Sequence, residues 1–179
     1  MPLPPMWIVI DGYNVIRRSP LLAPLDRRDL KEGRDALLAS LGAYRRLRGH
    51  RITVVFDGWG QSRAGEQAAQ VAGVRVVFSR SGERADQVIL RLVEKAAAGS
   101  VVVTSDRALA QEVALTGAVV LSAEEFEGRL DRALREGNGE SAEEDDEPTS
   151  EALGPRKLKG AARRPTKRAR RRITTIERL

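Results

Sequence analysis

Apolar residues in this chain gather in short β-branched runs, and three of those runs lead to an aspartate. They are Trp7-Ile8-Val9-Ile10-Asp11, Ile52-Thr53-Val54-Val55-Phe56-Asp57 and Val101-Val102-Val103-Thr104-Ser105-Asp106. Runs of this length, bounded by glycine or polar residues, predict strands buried on both faces. Five strands are expected, near 7–10, 52–56, 74–78, 100–104 and 118–121. Helical spacing predicts helices near 28–48, 85–98, 106–116 and 123–135. In the first of these, Leu30, Leu37, Leu38, Leu41, Tyr44 and Leu47 recur on one face, as a helix packed on a core requires. Ser122 is placed to cap the last helix, with Glu125 at the reciprocal position of a capping box. The glycine-rich, polar stretch from Gly58 to Gly73 predicts a loop with a short helix.

Strands alternating with helices predict an α/β fold with helices on both faces of a central, mostly parallel five-stranded sheet. The expected strand order is 3-2-1-4-5. Ligands of such sheets bind beyond the carboxyl ends of the strands, where the order reverses. Asp11 and Asp106 end the first and fourth strands and would face each other there, with Asp57 beside them. Asp86 follows the third strand and opens a helix, where a carboxylate also suits the free amides.

Carboxylates brought together repel one another, and a divalent cation is the usual resolution. Mg²⁺ or Mn²⁺ prefers oxygen ligands and supports phosphodiester hydrolysis. Each acid has a structural alternative: a turn for Asp11 or Asp57, an N-cap for Asp106, a first-turn helix position for Asp86. Glu83 is balanced between the two readings. Trp59 could stack on a base or simply pack. Arg17, Arg18, Arg63, Arg80, Arg84 and Arg107 follow strand ends or flank the acids, where they would hold phosphates or stand as ordinary solvated charges.

Composition narrows the chemistry. The 179 residues include no cysteine, which excludes disulfides and thiolate chemistry and suits a reducing compartment. The single histidine, His50, precedes the second strand and so belongs at the end of the sheet away from the acids. A serine–histidine–aspartate triad is therefore disfavoured. No Walker A, Rossmann or zinc signature is present, so no small-molecule cofactor is expected. The apolar run near the N-terminus reaches Asp11 too soon for a signal peptide, and no uncharged stretch approaches the ~20 residues of a membrane span. A cytoplasmic protein without membrane contact is the expectation.

The formal net charge of +6 hides a segregation. Glu140 to Glu151 holds seven acids and no base, whereas Arg156 to Arg172 holds ten bases and no acid. Blocks of this kind predict a disordered acidic linker over 137–155 and a basic arm over 156–179, following a domain at 1–136. Within the arm, Arg163, Arg164, Lys167, Arg168, Arg170, Arg171 and Arg172 are the candidate nucleic-acid contacts.

Asp11-Gly12-Tyr13-Asn14-Val15-Ile16 resembles the opening motif of the NYN domain, in the PIN-like nuclease group, and within it the YacP-like family. The resemblance continues through Val54-Val55-Phe56-Asp57, Gly82-Glu83-Arg84-Ala85-Asp86-Gln87-Val88-Ile89 and Thr104-Ser105-Asp106, in the right order over roughly 7–135. It implies a PIN-like three-layer α/β domain and a divalent-metal endoribonuclease site. Carried over, Asp11, Asp86 and Asp106 match the family's metal-binding acids, Asn14 its opening asparagine, and Asp57 a further acid at the rim. The family includes an enzyme that cleaves ribosome-associated messenger RNA, so RNA, and with it the ribosome, is the implied partner. Two departures stand out. The glutamate that commonly follows the Ala-Asp pair is replaced by Leu90, and an acidic spacer with an arginine-rich arm stands where the family has a charged helical extension. The rival expectations are a non-catalytic RNA- or ribosome-binding module and a small-molecule phosphatase.

Overall fold

Ile8, Val9 and Ile10 are wholly buried because their strand runs through the middle of the sheet with helices on both sides. The computed structural model describes residues 5–58, 67–96 and 99–139, together with Arg172, Thr175, Glu177 and Leu179 individually. Six strands form one sheet: β1 (Trp7–Asp11), β2 (Arg51–Phe56), β3 (Gln67–Val71), β4 (Val74–Phe78), β5 (Val101–Val103) and β6 (Val119–Leu121), in the order β3-β4-β2-β1-β5-β6. All neighbours are parallel except β3 and β4. The expected five strands therefore lie in the expected order, and the switch point falls between β1 and β5.

The sixth strand corrects the expectation of a five-stranded sheet and of a loop with a short helix over Gly58 to Gly73. β3 pairs antiparallel with β4 through a turn in which Ala72 and Gly73 both have positive φ, 51° and 79°. That is a two-residue hairpin turn of the kind whose twist matches its strands. Alanine at the first turn position hides the usual Asn-Gly or Asp-Gly signal, and Gln67-Ala68-Ala69-Gln70 has little strand propensity of its own. Pairing with β4 overrides that weak preference. The remainder of the stretch, 59–66, with Trp59 and Arg63, lies outside the described residues.

Among the described residues six helices flank the sheet: α1 (Gly12–Arg18), α2 (Ala23–Arg28), α3 (Leu30–Arg48), α4 (Ala85–Glu94), α5 (Arg107–Leu115) and α6 (Ala123–Gly137). Alternation along the strands divides the core in two. Ile8, Ile10, Val54, Phe56 and Val76 face Leu37, Leu41 and Tyr44 of α3 and Phe126 of α6. Val9, Val55, Val77 and Val102 face Val88, Ile89 and Val93 of α4 and Leu109 and Val113 of α5. The result is three layers. The Ser122–Glu125 capping box forms as expected: Ser122 Oγ accepts the Glu125 N–H and Glu125 Oε2 accepts the Ser122 N–H, both at 3.1 Å. α1 and α2 were not anticipated, because both are short and neither has the full amphipathic period of α3.

Buried His50 sits before β2, where its Nδ1 accepts the Met6 N–H at 3.4 Å, at the opposite end of the sheet from the strand-ending aspartates. Among the described residues no helix is long and apolar enough to cross a membrane. The acidic block and Arg156 to Arg171 lie outside the described residues. Beyond them, Thr175 and Leu179 are buried, Leu179 within the core cluster of Tyr44 and Phe126.

Candidate active site

β1 turns directly into α1 at Asp11. A Cβ on Gly12 would lie 2.2 Å from the Phe56 ring, so glycine lets the helix begin hard against β2. Asp11 is left 8% exposed. Because Ile10 pairs with Val103, the next residue on each strand, Asp11 and Thr104, also come side by side. Thr104 Oγ1 donates to Asp11 Oδ2 at 3.1 Å and accepts the Asp106 N–H at 3.1 Å. Asn14 Oδ1 accepts the Ser105 N–H at 2.8 Å, fastening α1 to the loop that follows β5. One hydrogen-bonded unit thus spans the switch point.

Asp106 is the N-cap of α5: its Oδ1 accepts the Ala108 and Leu109 N–H groups at 2.8 and 3.0 Å. The side chain nonetheless remains exposed. Asp57 Oδ1 accepts the Ala85 N–H at 2.6 Å. A carboxylate from the end of β2 therefore binds an otherwise orphaned amide in the first turn of α4, and the neighbouring Asp86 is held near the other acids. The N-cap alternative for Asp106 is thus realised through one carboxylate oxygen, whereas Asp57 does not close a local turn but reaches the first turn of α4.

The electrostatics identify Asp86 as the acid that feels most of the others. Burial pushes the Asp11 carboxyl up to about 6, opposed by the Thr104 hydroxyl and the backbone N–H of Asn14 and reinforced by Asp86 and Asp57. Partial burial also raises Asp86, against the pull of Arg84, and the negative charges of Asp106, Asp57 and Glu112 add to the rise. The site carries an excess of negative charge, one member of it deeply buried.

Among the described residues no three acidic or histidine side chains converge as a ready-made ligand set. The donors do suit a hard, partly hydrated cation, because Mg²⁺ is commonly held by one or two carboxylates and completed by water and substrate oxygens. Asp11, Asp86 and Asp106 are the residues that would hold it.

The other candidates make contacts of their own. Glu83 pairs with Arg91, and that bond holds its carboxyl below the usual range. Arg17 lies 3.9 Å from Asp26 and over the Tyr13 ring. Arg18 lies 3.5 Å from Glu124, and Arg172 lies 3.8 Å from Glu125. Arg80, Arg84 and Arg107 are exposed. Arg163, Arg164, Lys167, Arg168, Arg170 and Arg171 lie outside the described residues. Leu90 is half-buried against the α4–α5 core and lines a pocket of about 420 Å³ with Glu94 and Glu112. Two participants went unassigned in the sequence. Thr104 looked like the tail of a strand, and Glu112 is one of many polar helix positions, with nothing local to mark it.

The model of the YacP-like NYN domain matches residues 8–171. The chain belongs to the YacP-like NYN domain family. That family places its domain in the PIN-like nuclease group. The chain is 32% identical over 87 residues to the uncharacterized protein YacP of Bacillus subtilis (strain 168), across 49% of this chain and 51% of that protein. The match thus spans about half the length of the curated relative. The crystal structure of Rae1 (YacP) from Bacillus subtilis shares 28% identity and a TM-score of 0.61, covering 74% of this chain and 77% of that one. A tryptophan-to-leucine mutant of Rae1 superposes with a TM-score of 0.63 at 28% identity, covering 75% of this chain and 80% of that one. Fold and motif therefore agree on a YacP-like NYN domain.

Proposed function

We propose that the protein is a cytoplasmic, divalent-metal-dependent endoribonuclease that hydrolyses RNA phosphodiester bonds, with ribosome-associated messenger RNA as the candidate substrate. The observation that carries this reading is the buried Asp11 carboxylate at the β1/β5 switch point, pushed up to about 6 by burial with Asp86 and Asp57 adding to the rise. A buried anion among anions costs free energy unless a cation or a proton compensates it.

In this reading Asp11, Asp86 and Asp106 hold Mg²⁺ or Mn²⁺. What the cation supplies when bound is neutralisation of charge at phosphorus and activation of water. The remaining work falls to the chain. Thr104 fixes the Asp11 carboxylate, Asn14 fixes the loop that presents Asp106, and Asp57 fixes the start of α4 and so Asp86. Arg18, Arg84 and Arg107 offer phosphate contacts. The domain at 1–136 performs the chemistry and the basic arm at 156–179 adds affinity.

A second reading, a non-catalytic RNA- or ribosome-binding module, is favoured by Leu90 at the usual acid position and by the lack of a converged ligand trio among the described residues. Incubation of the full chain with end-labelled RNA and with translating ribosomes separates the two. Cleavage with Mn²⁺ or Mg²⁺ that EDTA stops supports the nuclease, and binding without new ends supports the module.

A further inference from the structure

Leu179 belongs to the same buried cluster as Tyr44 and Phe126, although more than thirty residues separate it from the end of α6. Its backbone carbonyl accepts a hydrogen bond from the Tyr44 hydroxyl. Burial pushes that hydroxyl up to about 12, so it keeps its donor proton at neutral pH. Thr175 is buried as well. A short distance upstream, exposed Arg172 has its Nη2 3.8 Å from Oε2 of Glu125 in the first turn of α6. Arg172 and Leu179 thus each touch the domain, one on α6 and the other in the core.

The place where Arg172 is fixed has a shape. It lines a groove of about 1130 Å³ that follows the edge strand β6 between α5 and α6. Asp106, Arg107 and Arg18 stand at one end of α5, small residues such as Ala110 line its wall, and Leu115 marks the other end. The rise of a helix makes α5 roughly 13 Å long, enough for a short stretch of extended strand. Among the described residues the ion-pair partners of Arg18 and Arg172 are the solvent-exposed glutamates Glu124 and Glu125. Such exposed pairs are weak and can be exchanged for phosphate. Among the described residues no aromatic lines the groove, and its charged lining is three arginines, Arg18, Arg107 and Arg172, against three acids, Asp106, Glu124 and Glu125, so the contact it offers is to the phosphate backbone through the arginines.

We propose that this groove is the track along which a single-stranded RNA backbone approaches Asp106, and that the anchor at Leu179 is what holds Arg172 on its wall. The proposal rests on the nuclease reading and adds to it a substrate path and a role for the chain's last residues.

The test is binding of a fluorescent single-stranded oligouridylate to the full chain in EDTA, across a range of salt, with RNA cleavage in Mn²⁺ measured alongside. Arg107→Ala and Arg172→Ala should each weaken binding severalfold and flatten the log–log salt dependence by about 0.7. Leu115→Glu, on an exposed position, should also weaken binding by placing a negative charge in the track. Leu179→Ser should reproduce Arg172→Ala, and adding Arg172→Ala to it should change nothing further. Tyr44→Phe removes the donor to Leu179 while keeping the ring, and should show a milder loss of the same kind if Leu179→Ser fails to fold. Wild-type binding by Arg107→Ala, Arg172→Ala and Leu115→Glu, in a protein that cuts RNA, overturns the track and leaves the nuclease reading standing. Binding that obeys the groove variants without any cleavage overturns the nuclease reading and leaves the track. Full additivity of Arg172→Ala with both anchor variants overturns the anchor's role.

Discussion

The hydroxyl of Thr104 donates to Oδ2 of Asp11 at 3.1 Å, joining residues 93 positions apart at the point where the sheet order reverses. The same hydroxyl accepts the Asp106 N–H, so it sets both the carboxylate and the start of the helix that carries the next acid. Thr104→Val removes both bonds from a buried site and should cost about 1–3 kcal/mol of stability. It should also move the Asp11 carboxyl above about 6, because the hydroxyl is what most opposes its rise. The acid limb of the cleavage pH profile should then shift to higher pH, whereas Thr104→Ser should leave it in place. Denaturant melts and single-turnover rates against pH read both effects.

Asp11 itself should make the apo protein less stable as pH rises. Its folded carboxyl titrates at about 6 against an ordinary 3.8, so the folded state binds the proton more tightly than the unfolded one. Stability from this group is complete below about pH 4 and is lost as pH climbs towards 6. Asp11→Asn should therefore melt like wild type in acid but be more stable at neutral pH, by at most about 3 kcal/mol. Added Mg²⁺ or Mn²⁺ should raise the wild-type Tm more at pH 7.5 than at pH 5, and should do little for the variant. Melting curves at the two pH values give the comparison.

Asp57 is expected to act through Asp86. Its Oδ1 accepts the Ala85 N–H at 2.6 Å, and an asparagine carbonyl can do the same. Asp57→Ala should cost roughly 0.5–2 kcal/mol, as for other lost caps, and should lower cleavage by freeing the first turn of α4. Asp57→Asn should keep the stability and most of the activity. Equal loss of cleavage in both, with the Asn variant fully folded, would make Asp57 a direct participant.

Leu90→Glu should not restore a metal ligand. Leu90 packs on the α4–α5 core and shares its pocket with Glu94 and Glu112. A glutamate there loses apolar burial and meets a like charge one helical turn away, a combined cost of about 1–2 kcal/mol. Calorimetry should find a lower Tm and unchanged Mn²⁺ affinity. A rise in metal affinity at constant Tm would show that the position faces the site.

The parts of this fold that were legible in the sequence are those where one local pattern has one meaning. The run Ile8-Val9-Ile10 and its counterparts read as buried strands, and strands alternating with helices commonly take the order found here. That alone placed Asp11 against the residues after Val103. What escaped depends on contacts between distant elements. β3 exists because β4 offers it a partner. Asp57 works on α4 through an amide of Ala85 that no spacing rule predicts. Leu179 packs into the core from beyond a charged stretch whose composition gives no hint of it. Thr104 was visible but mute, since a threonine at a strand end gains its meaning only when the neighbouring strand ends on a buried acid.

The central claim is that the acids at the switch point make this chain a metal-dependent ribonuclease. Single-turnover cleavage of an end-labelled RNA by wild type and Asp11→Asn, in limiting Mn²⁺ and again in EDTA, tests it most directly. New RNA ends are expected from wild type with Mn²⁺ alone, none in EDTA, and none from a folded Asp11→Asn. Cleavage by wild type that persists in EDTA, or an Asp11→Asn variant that cuts at the wild-type rate, would contradict it.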